Sequence, residues 1–219
     1  MVEIGPGKGA LTEELLARAD RVTAIEVDPT LVHYLHQKFR DAIDAGRLHI
    51  IEGDVLKTDF SEKIITGNLP YYITSPILEK VFSLGDAWEQ AVFLMQAEVA
   101  ERLAASPGTR DFGYLSVQTQ VHAEPKILFP VSRDAFKPPP KVESAVVRLT
   151  RRSHPAVTDP AAFLRFASAC FRQKRKTLRN NLAPFYDKAR VDALEEGRLR
   201  AEQMSIAQLA EVWRKVDIG

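Results

Sequence analysis

Val2-Glu3-Ile4-Gly5-Pro6-Gly7-Lys8-Gly9-Ala10, at the start of the chain, decides the fold class. Val2–Ile4 is typical of a strand end, three glycines follow it, and a helix with leucines at positions 11, 15 and 16 begins at Ala10. Glycine lets the backbone approach a ligand closely and adopt positive φ. The spacing also matches the G-x-G-x-x-G/A pattern of dinucleotide-binding folds, so a nicotinamide-dependent dehydrogenase is one interpretation. The loop alone therefore predicts a nucleotide-like ligand without saying which one.

Strand and helix patterns alternate through the first hundred residues. The predicted strands are Val2–Ile4, Val22–Val27, Leu48–Glu52, Ile64–Asn68 and Ala91–Met95. The predicted helices are Ala10–Ala19, Pro29–Arg40, Pro76–Leu84, Glu98–Ala105 and Tyr114–Gln120. Near-continuous apolar strands between helices favour a parallel sheet covered on both faces. Two later strands, about His122–Phe129 and Ser144–Leu149, flank Pro138-Pro139-Pro140, and we expect them to form an antiparallel hairpin at the sheet edge.

Carboxylates follow two of these strands. Glu26 closes the second strand, where an acid binds ribose hydroxyls in doubly wound nucleotide folds. Asp54 follows the third strand in Glu52-Gly53-Asp54-Val55, and its carboxylate can accept a hydrogen bond from the exocyclic amine of an adenine. Ligands of open parallel sheets bind at the carboxyl ends of the strands, so we expect both acids in one site.

Asn68-Leu69-Pro70-Tyr71 follows the fourth strand and suits an aromatic amine. The Asn68 side-chain oxygen and the Leu69 carbonyl can each accept one N–H of the amine. Pro70 biases Leu69 towards an extended conformation, which sets the direction of that carbonyl. Tyr71 offers a face for stacking. A dehydrogenase does not need this segment, whereas an S-adenosylmethionine (SAM) methyltransferase uses it together with the glycine loop and both acids.

Composition indicates an ordinary globular chain. Of 219 residues, 45% are hydrophobic and 27% charged. No apolar run approaches a membrane span and no signal-peptide pattern occurs, which predicts no membrane contact and no secretion. The single cysteine, Cys170, excludes an internal disulfide and reads as a small core residue. The five histidines, His154 among them, show no ligand spacing, so no metal is predicted.

The net charge of +1 conceals an asymmetry. Residues 151–219 carry 14 Lys+Arg against 8 Asp+Glu, and residues 1–150 carry 16 against 21. A basic tail region on a mildly acidic body suggests a catalytic unit with a polyanion-binding unit. Helices are predicted at Ala161–Phe171, with Asp159-Pro160 as its cap and first turn, at Arg175–Leu182, at Lys188–Gly197 and at Ser205–Val216.

The chain closely resembles the bacterial rRNA adenine N6-dimethyltransferases. The resemblance spans nearly the whole chain and runs in order through six motifs: Val2–Thr12, Ile25-Glu-Val-Asp28, Glu52–Val55, Gly67-Asn-Leu-Pro-Tyr-Tyr-Ile-Thr-Ser-Pro76, Phe136-Lys-Pro-Pro-Pro-Lys-Val-Glu-Ser144 and Gln173-Lys-Arg-Lys-Thr-Leu-Arg-Asn-Asn-Leu182. It implies a Rossmann-like, class I SAM-dependent α/β methyltransferase domain at 1–152 and a small all-helical rRNA-binding domain at 153–219. It implies dimethylation of adjacent adenines near the 3′ end of small-subunit (16S) rRNA by a cytoplasmic monomer.

The resemblance also assigns roles by position. Gly5 and Gly7 would line the SAM pocket, Glu26 would bind the ribose, Asp54 the adenine of SAM, and Asn68 both the cofactor and the target amine. Tyr71 and Phe136 would stack on the two faces of the unstacked target base, each contact being worth roughly 1–3 kcal/mol. The candidate RNA-binding residues, which we expect along one side of a helix, are Arg172, Lys174, Arg175, Lys176 and Arg179; such phosphate contacts give salt-dependent affinity without base specificity.

One departure concerns the N-terminus. Family members carry a further segment before the glycine loop, with a Gln-Asn-Phe-Leu motif that contributes to the SAM site. We therefore expect a truncated chain or a misassigned start, with weakened SAM binding and lowered stability. Two other functions stay open: a large-subunit rRNA adenine methyltransferase of the macrolide-resistance type, and a non-catalytic RNA-binding ribosome assembly factor.

Overall fold

The structure, a computed structural model, describes residues 1–137, 139–153 and 156–217. Pro138 of the triple-proline segment and His154 lie outside the described residues. The chain forms two compact units, the first made of Met1–Ala97 with Lys126–Arg151 and the second of Glu98–Pro125 with Arg152–Gly219. This grouping places residues 98–125 with the C-terminal helices. The domain ranges 1–152 and 153–219 stay a prediction.

Seven strands form one mixed sheet. They are β1 (Val2–Ile4), β2 (Val22–Glu26), β3 (Leu48–Glu52), β4 (Ile64–Asn68), β5 (Gln90–Gln96), β6 (Ala123–Val131) and β7 (Ser144–Arg151). Their order is β3-β2-β1-β4-β5-β7-β6. The first five strands are parallel and β7 runs antiparallel to β5. The Rossmann-like α/β class is confirmed, and β6 and β7 are neighbours at one edge of the sheet as predicted.

The order of the strands reverses between β1 and β4. After β1 the chain builds outward through β2 and β3, and it then returns to place β4 on the other side of β1. Such a switch point opens a crevice at the carboxyl ends of the strands. Packing between these two strands is close, because a Cβ added to Gly67 would lie 2.5 Å from the Ile4 carbonyl oxygen. The glycine loop after β1 and Asn68 at the end of β4 therefore face the same crevice.

Four helices accompany the parallel strands: α1 (Ala10–Leu16), α2 (Pro29–Lys38), α3 (Arg40–Asp44) and α4 (Thr74–Ser83). Asp28 caps α2 by accepting a hydrogen bond from the Thr30 N–H. The single helix expected at Pro29–Arg40 is interrupted at Phe39, which is the C-cap of α2 and the N-cap of α3. Phe39 is buried, and a Cβ at Gly9 would overlap its ring, so this helix break packs against the glycine loop.

Six helices supply the second unit: α5 (Ala97–Ala104), α6 (Tyr114–His122), α7 (Pro160–Cys170), α8 (Leu178–Leu182), α9 (Lys188–Asp192) and α10 (Ile206–Val216). The all-helical C-terminal region is confirmed, and Asp159 caps α7 through the Ala162 N–H as predicted. Phe163, Phe166 and Cys170 belong to one apolar core, where burial raises the pKa of the Cys170 thiol. Among the described residues, no helix is long and apolar enough to cross a membrane.

Candidate functional site

Glu26 ties the glycine loop to the end of β2. Its Oε2 accepts a hydrogen bond from the Gly7 N–H at 3.0 Å, and Oε1 accepts from Val27 and Asp28 at 2.9 and 3.1 Å. Gly5 and Gly7 have φ of 65° and 59°, which residues with a side chain adopt only with strain. A carboxylate offers about four acceptor positions. The three internal donors therefore leave one position, on Oε2, for a ligand.

Asp54 is less constrained. Its Oδ1 accepts the Leu56 N–H at 3.0 Å, and Oδ2 lies 4.0 Å from the ammonium of Lys57, whose side chain is 85% exposed. An exposed pair at this distance contributes little. Within the described residues Oδ2 accepts no hydrogen bond, so it is available to a donor such as an adenine amine.

A cavity of about 410 Å³ lies between these acids. Gly5, Glu26, Asp54, Pro70 and Tyr72 line it together with six apolar side chains: Ile4, Ile25, Val27, Val55, Leu56 and Ile73. Its volume falls within the range of ligand pockets, about 300–1,000 Å³, and mostly apolar walls with a few polar groups are typical of such sites. The structure thus brings three of the predicted cofactor residues, Gly5, Glu26 and Asp54, to one cavity.

Glu3 lies beneath this loop and was missed by the sequence analysis. It is 1% exposed on β1, and its Oε2 accepts the Thr12 hydroxyl at 2.6 Å. Burial raises the pKa of Glu3; the Thr12 hydrogen bond opposes this and the nearby Glu26 adds to it. The Glu3–Thr12 pair links β1 to α1 on either side of the glycines. A carboxylate inside an apolar strand was the available signal.

Asn68 and Leu69 lie at the end of β4, where no described residue donates a hydrogen bond to the Asn68 side-chain oxygen or to the Leu69 carbonyl. Asn68 is exposed, and its side-chain amide makes no hydrogen bond within the described part of the chain. Leu69 is 1% exposed, and its N–H donates to the Leu94 carbonyl at 2.9 Å, which fixes its backbone. The Pro70 carbonyl accepts from Ile73 at 3.1 Å and from the Thr74 hydroxyl at 3.3 Å, forming the turn into α4. Hydrogen bonds of the backbone therefore hold the segment, and in the described part of the chain nothing binds the Asn68 amide.

The two tyrosines of this turn have different surroundings, and it is Tyr72, not Tyr71, that lines the cavity. Tyr71 is half-buried and its hydroxyl shares a hydrogen bond with Ser144 Oγ at 2.9 Å, whereas Tyr72 is 85% exposed and lines the cavity. Tyr72 was not among the predicted site residues. Phe136 is half-buried directly after a 3-10 turn at Arg133–Ala135. The stacking roles of Tyr71 and Phe136 stay predictions.

Residues 172–177 of the basic segment are not helical, so the prediction that one helix carries all five charges is wrong; only Arg179 lies in a helix. The buried Asn181 donates to the Cys170 and Gln173 carbonyls at 2.8 and 3.2 Å and accepts the Gln173 N–H at 3.2 Å. These bonds hold residues 171–176 as turns, and α8 begins only at Leu178, capped by Thr177. Four of the five basic candidates, Arg172, Lys174, Arg175 and Lys176, therefore project from turns that hydrogen bonds to Asn181 hold in place, and Arg179 projects from α8.

The five basic candidates also differ in their contacts. Arg179 forms a 2.6 Å ion pair with Asp192, and the Lys174 ammonium donates to the Arg110 carbonyl at 2.7 Å. The Arg172 guanidinium lies 5.2 Å from the centre of the Phe185 ring. Arg175 and Lys176 are exposed. No cluster of three metal-ligating side chains occurs among the described residues.

Comparisons with known proteins agree with this geometry. The small subunit methyltransferase A of Chlorobium chlorochromatii is 45% identical over 97% of this chain and 81% of its own length. A dimethyladenosine transferase from Plasmodium falciparum superposes with a TM-score of 0.84 at 25% identity, covering 98% of this chain and 88% of its own. The 23S rRNA methyltransferase ErmE gives a TM-score of 0.73 at 28% identity, covering 99% and 90%. The family model described as ribosomal RNA adenine dimethylase matches residues 1–216, and the chain belongs to that family.

Proposed function

We propose that this chain dimethylates the N6 amines of adjacent adenines near the 3′ end of small-subunit rRNA, with SAM as methyl donor. The observation that carries the proposal is the Asn68 amide, which has no hydrogen-bond partner among the described residues and lies at the carboxyl end of β4, the same edge of the parallel sheet as the cavity lined by Glu26 and Asp54. Family membership supports the reaction, and the small subunit methyltransferase A relatives support the choice of substrate.

The residues around the cavity fit SAM. The remaining acceptor position on Glu26 Oε2 suits one ribose hydroxyl, and the open Asp54 Oδ2 suits the adenine amine. Val27 and Val55 supply apolar contact area beside them. When bound, SAM supplies a methyl group already activated by its positively charged sulfur.

The Asn68–Tyr71 segment acts on the target amine. An aromatic amine is a weak nucleophile because its lone pair is delocalised into the ring. In the first transfer the Asn68 oxygen and the Leu69 carbonyl accept the two hydrogens of the amine, and in the second transfer one of these acceptors holds the single hydrogen that remains; either way the lone pair is localised towards the incoming methyl group. The amine proton becomes acidic only as the new bond forms, so no strong general base is needed. Positioning of the reacting atoms therefore supplies most of the rate enhancement.

The target base must leave its stack, which costs a few kcal/mol. Tyr71 and Phe136 offset this cost by stacking on its two faces, and Arg172, Lys174, Arg175 and Lys176 hold the phosphates. The Arg179–Asp192 ion pair makes Arg179 the weakest of these contacts. The enzyme acts as a monomer in the cytoplasm, where its ribosomal substrate is assembled.

Labelled methyl transfer tests the proposal. Purified chain with SAM should convert adenines of immature small subunits to dimethyladenosine, detected by mass spectrometry of nuclease digests, and should leave large-subunit rRNA unmodified. Reactions without SAM set the background. Transfer only to large-subunit rRNA would establish the macrolide-resistance-type activity instead, and RNA binding without any transfer would establish a non-catalytic assembly factor.

A further inference from the structure

A second cavity, of about 630 Å³, lies within the C-terminal unit. It is lined by Arg165, Ser168, Ala169, Arg172, Phe185 and Tyr186. Its most unusual member is Phe185, a large apolar side chain that is 51% exposed. The helical core of this unit already contains Phe163 and Phe166, both fully buried. Phe185 therefore projects from the core, and its exposed ring in the cavity offers a stacking surface to a ligand with a flat apolar face.

The ring is held in a defined environment. The Arg172 guanidinium covers Phe185 at 5.2 Å from the ring centre, a cation–π contact. Tyr186 packs edge-on against the buried Phe166 with ring centres 5.9 Å apart, which anchors the residue next to Phe185 in the core. Arg172 occupies one side of the Phe185 ring, and the 51% exposure leaves the rest open for a second flat group.

The charged side chains that line the cavity favour a polyanionic ligand. The described residues that line the cavity include two guanidinium groups and no acid. Asp217 influences Tyr186 electrostatically but does not line the cavity. A neighbouring cavity of the same unit contains Arg102, Arg110 and Lys174 but also Glu98 and Asp111, so its charges largely cancel. Positive charge beside an open aromatic face is the combination that binds unpaired nucleotides.

We propose that Arg165, Arg172 and Phe185 form a second nucleotide pocket, which binds an unpaired RNA nucleotide other than the adenine that is methylated. The base stacks on the open face of Phe185, and the two arginines contact its flanking phosphates. The pocket rests on the proposed function only in taking RNA as the partner. It changes the role of Arg172 from a phosphate contact alone to one side of a stacking platform.

Binding of fluorescent hexauridylate to the full chain tests this pocket. The probe carries no adenine, so it cannot serve as a methyl acceptor. We expect Phe185→Ala to weaken binding by about tenfold, the usual size of one base–aromatic contact, and Phe185→Trp to restore it. The matched control is Leu199→Ala, which removes another exposed apolar side chain of this unit and should leave binding unchanged.

The arginines are tested by salt dependence. Arg165→Gln should weaken binding and reduce the slope of log K against log salt by about 0.7, the value for one phosphate contact to a single strand. Equal hexauridylate affinity for wild type and Phe185→Ala would overturn the pocket, as would equal losses in Phe185→Ala and Leu199→Ala. Failure of the proposed function would be seen only in the methyl-transfer assay, and the hexauridylate titration would be unaffected.

Discussion

Glu26 and Asn68 lie at the carboxyl ends of β2 and β4, but they differ in burial and in hydrogen bonding. Glu26 is buried and its carboxylate accepts three backbone N–H groups. Asn68 is exposed and its amide has no hydrogen-bond partner in the described residues. On the cofactor side of the site, Glu26 therefore also stabilises the fold. On the acceptor side, the Asn68 amide is available to the substrate. Substitution should cost stability at the first residue and catalytic rate at the second.

Asn68→Ala should show the largest effect. Removing one hydrogen-bonding group aimed at a reacting centre typically costs about 100- to 1,000-fold in kcat, and we expect a loss in that range. The melting temperature should not change, because the side chain is exposed and unbonded. Single-turnover methyl transfer and thermal unfolding measure the two quantities, with Ser75→Ala, an exposed change on α4, as the control. Undiminished transfer in Asn68→Ala would refute its assigned role.

Glu26→Ala should come next and should affect folding. It leaves the N–H groups of Gly7, Val27 and Asp28 without their acceptor, and each buried donor left unsatisfied costs about 1–3 kcal/mol. Partial access to water reduces the sum, so we expect a loss of about 2–4 kcal/mol in the free energy of unfolding, with weaker SAM binding. Glu52→Ala is a matched control, since Glu52 pairs in register with Glu26 but is exposed. Denaturant unfolding and SAM calorimetry report both effects; equal stabilities of the two variants would contradict the comparison.

Tyr71→Phe separates the structural role of the Tyr71 hydroxyl from the proposed stacking role of its ring. It removes the hydroxyl that bonds to the buried Ser144 but keeps the ring, so about 0.5–1.5 kcal/mol of stability should be lost with the methyl-transfer rate nearly retained. A double-mutant cycle with Ser144→Ala isolates the pair. Strictly additive losses would mean that the hydrogen bond contributes nothing.

Glu3→Gln should give the smallest effect, and it depends on pH. Because burial raises the pKa of Glu3 above its usual 4.5, the folded state binds this proton more tightly than the unfolded state. The contribution of Glu3 to stability is therefore complete below 4.5 and is lost as pH rises through the folded-state pKa. Glu3→Gln removes that loss, so its stability relative to wild type should increase with pH. Urea titrations at several pH values, with the exposed Glu101→Gln as control, measure this; parallel pH curves for Glu3→Gln and wild type would exclude it.

Local patterns predicted most of the fold. The bounds of β1, β3 and β4 follow from short apolar runs, and α7 follows from Asp159-Pro160, because these signals lie within a few residues. The break at Phe39 was not predicted because it depends on packing against the distant Gly9. The prediction of a basic helix was wrong because it also missed a contact between residues apart in sequence. The side chain of Asn181 holds residues 171–176 in turns.

The sequence predicted which residues form the site better than it predicted where their side chains point. Gly5, Glu26 and Asp54 meet at one cavity because strand ends of a parallel sheet converge. Tyr71 and Tyr72 are chemically identical in the sequence, and only the turn after Pro70 sends the first towards Ser144 and the second to the cavity. The Arg179–Asp192 pair joins residues of two helices, and no local spacing rule reveals it.

The close approach of β1 and β4 at Gly67 bears on how relatives of this chain are to be compared. Any side chain at this position would collide with the Ile4 carbonyl, so selection would retain glycine there even in a descendant that had lost catalysis. A glycine at this position in a relative would therefore reflect the geometry of the sheet and not the catalytic state of the site. The identity of Asn68 itself, whose exposed side chain the fold does not require, would be more informative about whether a relative is active.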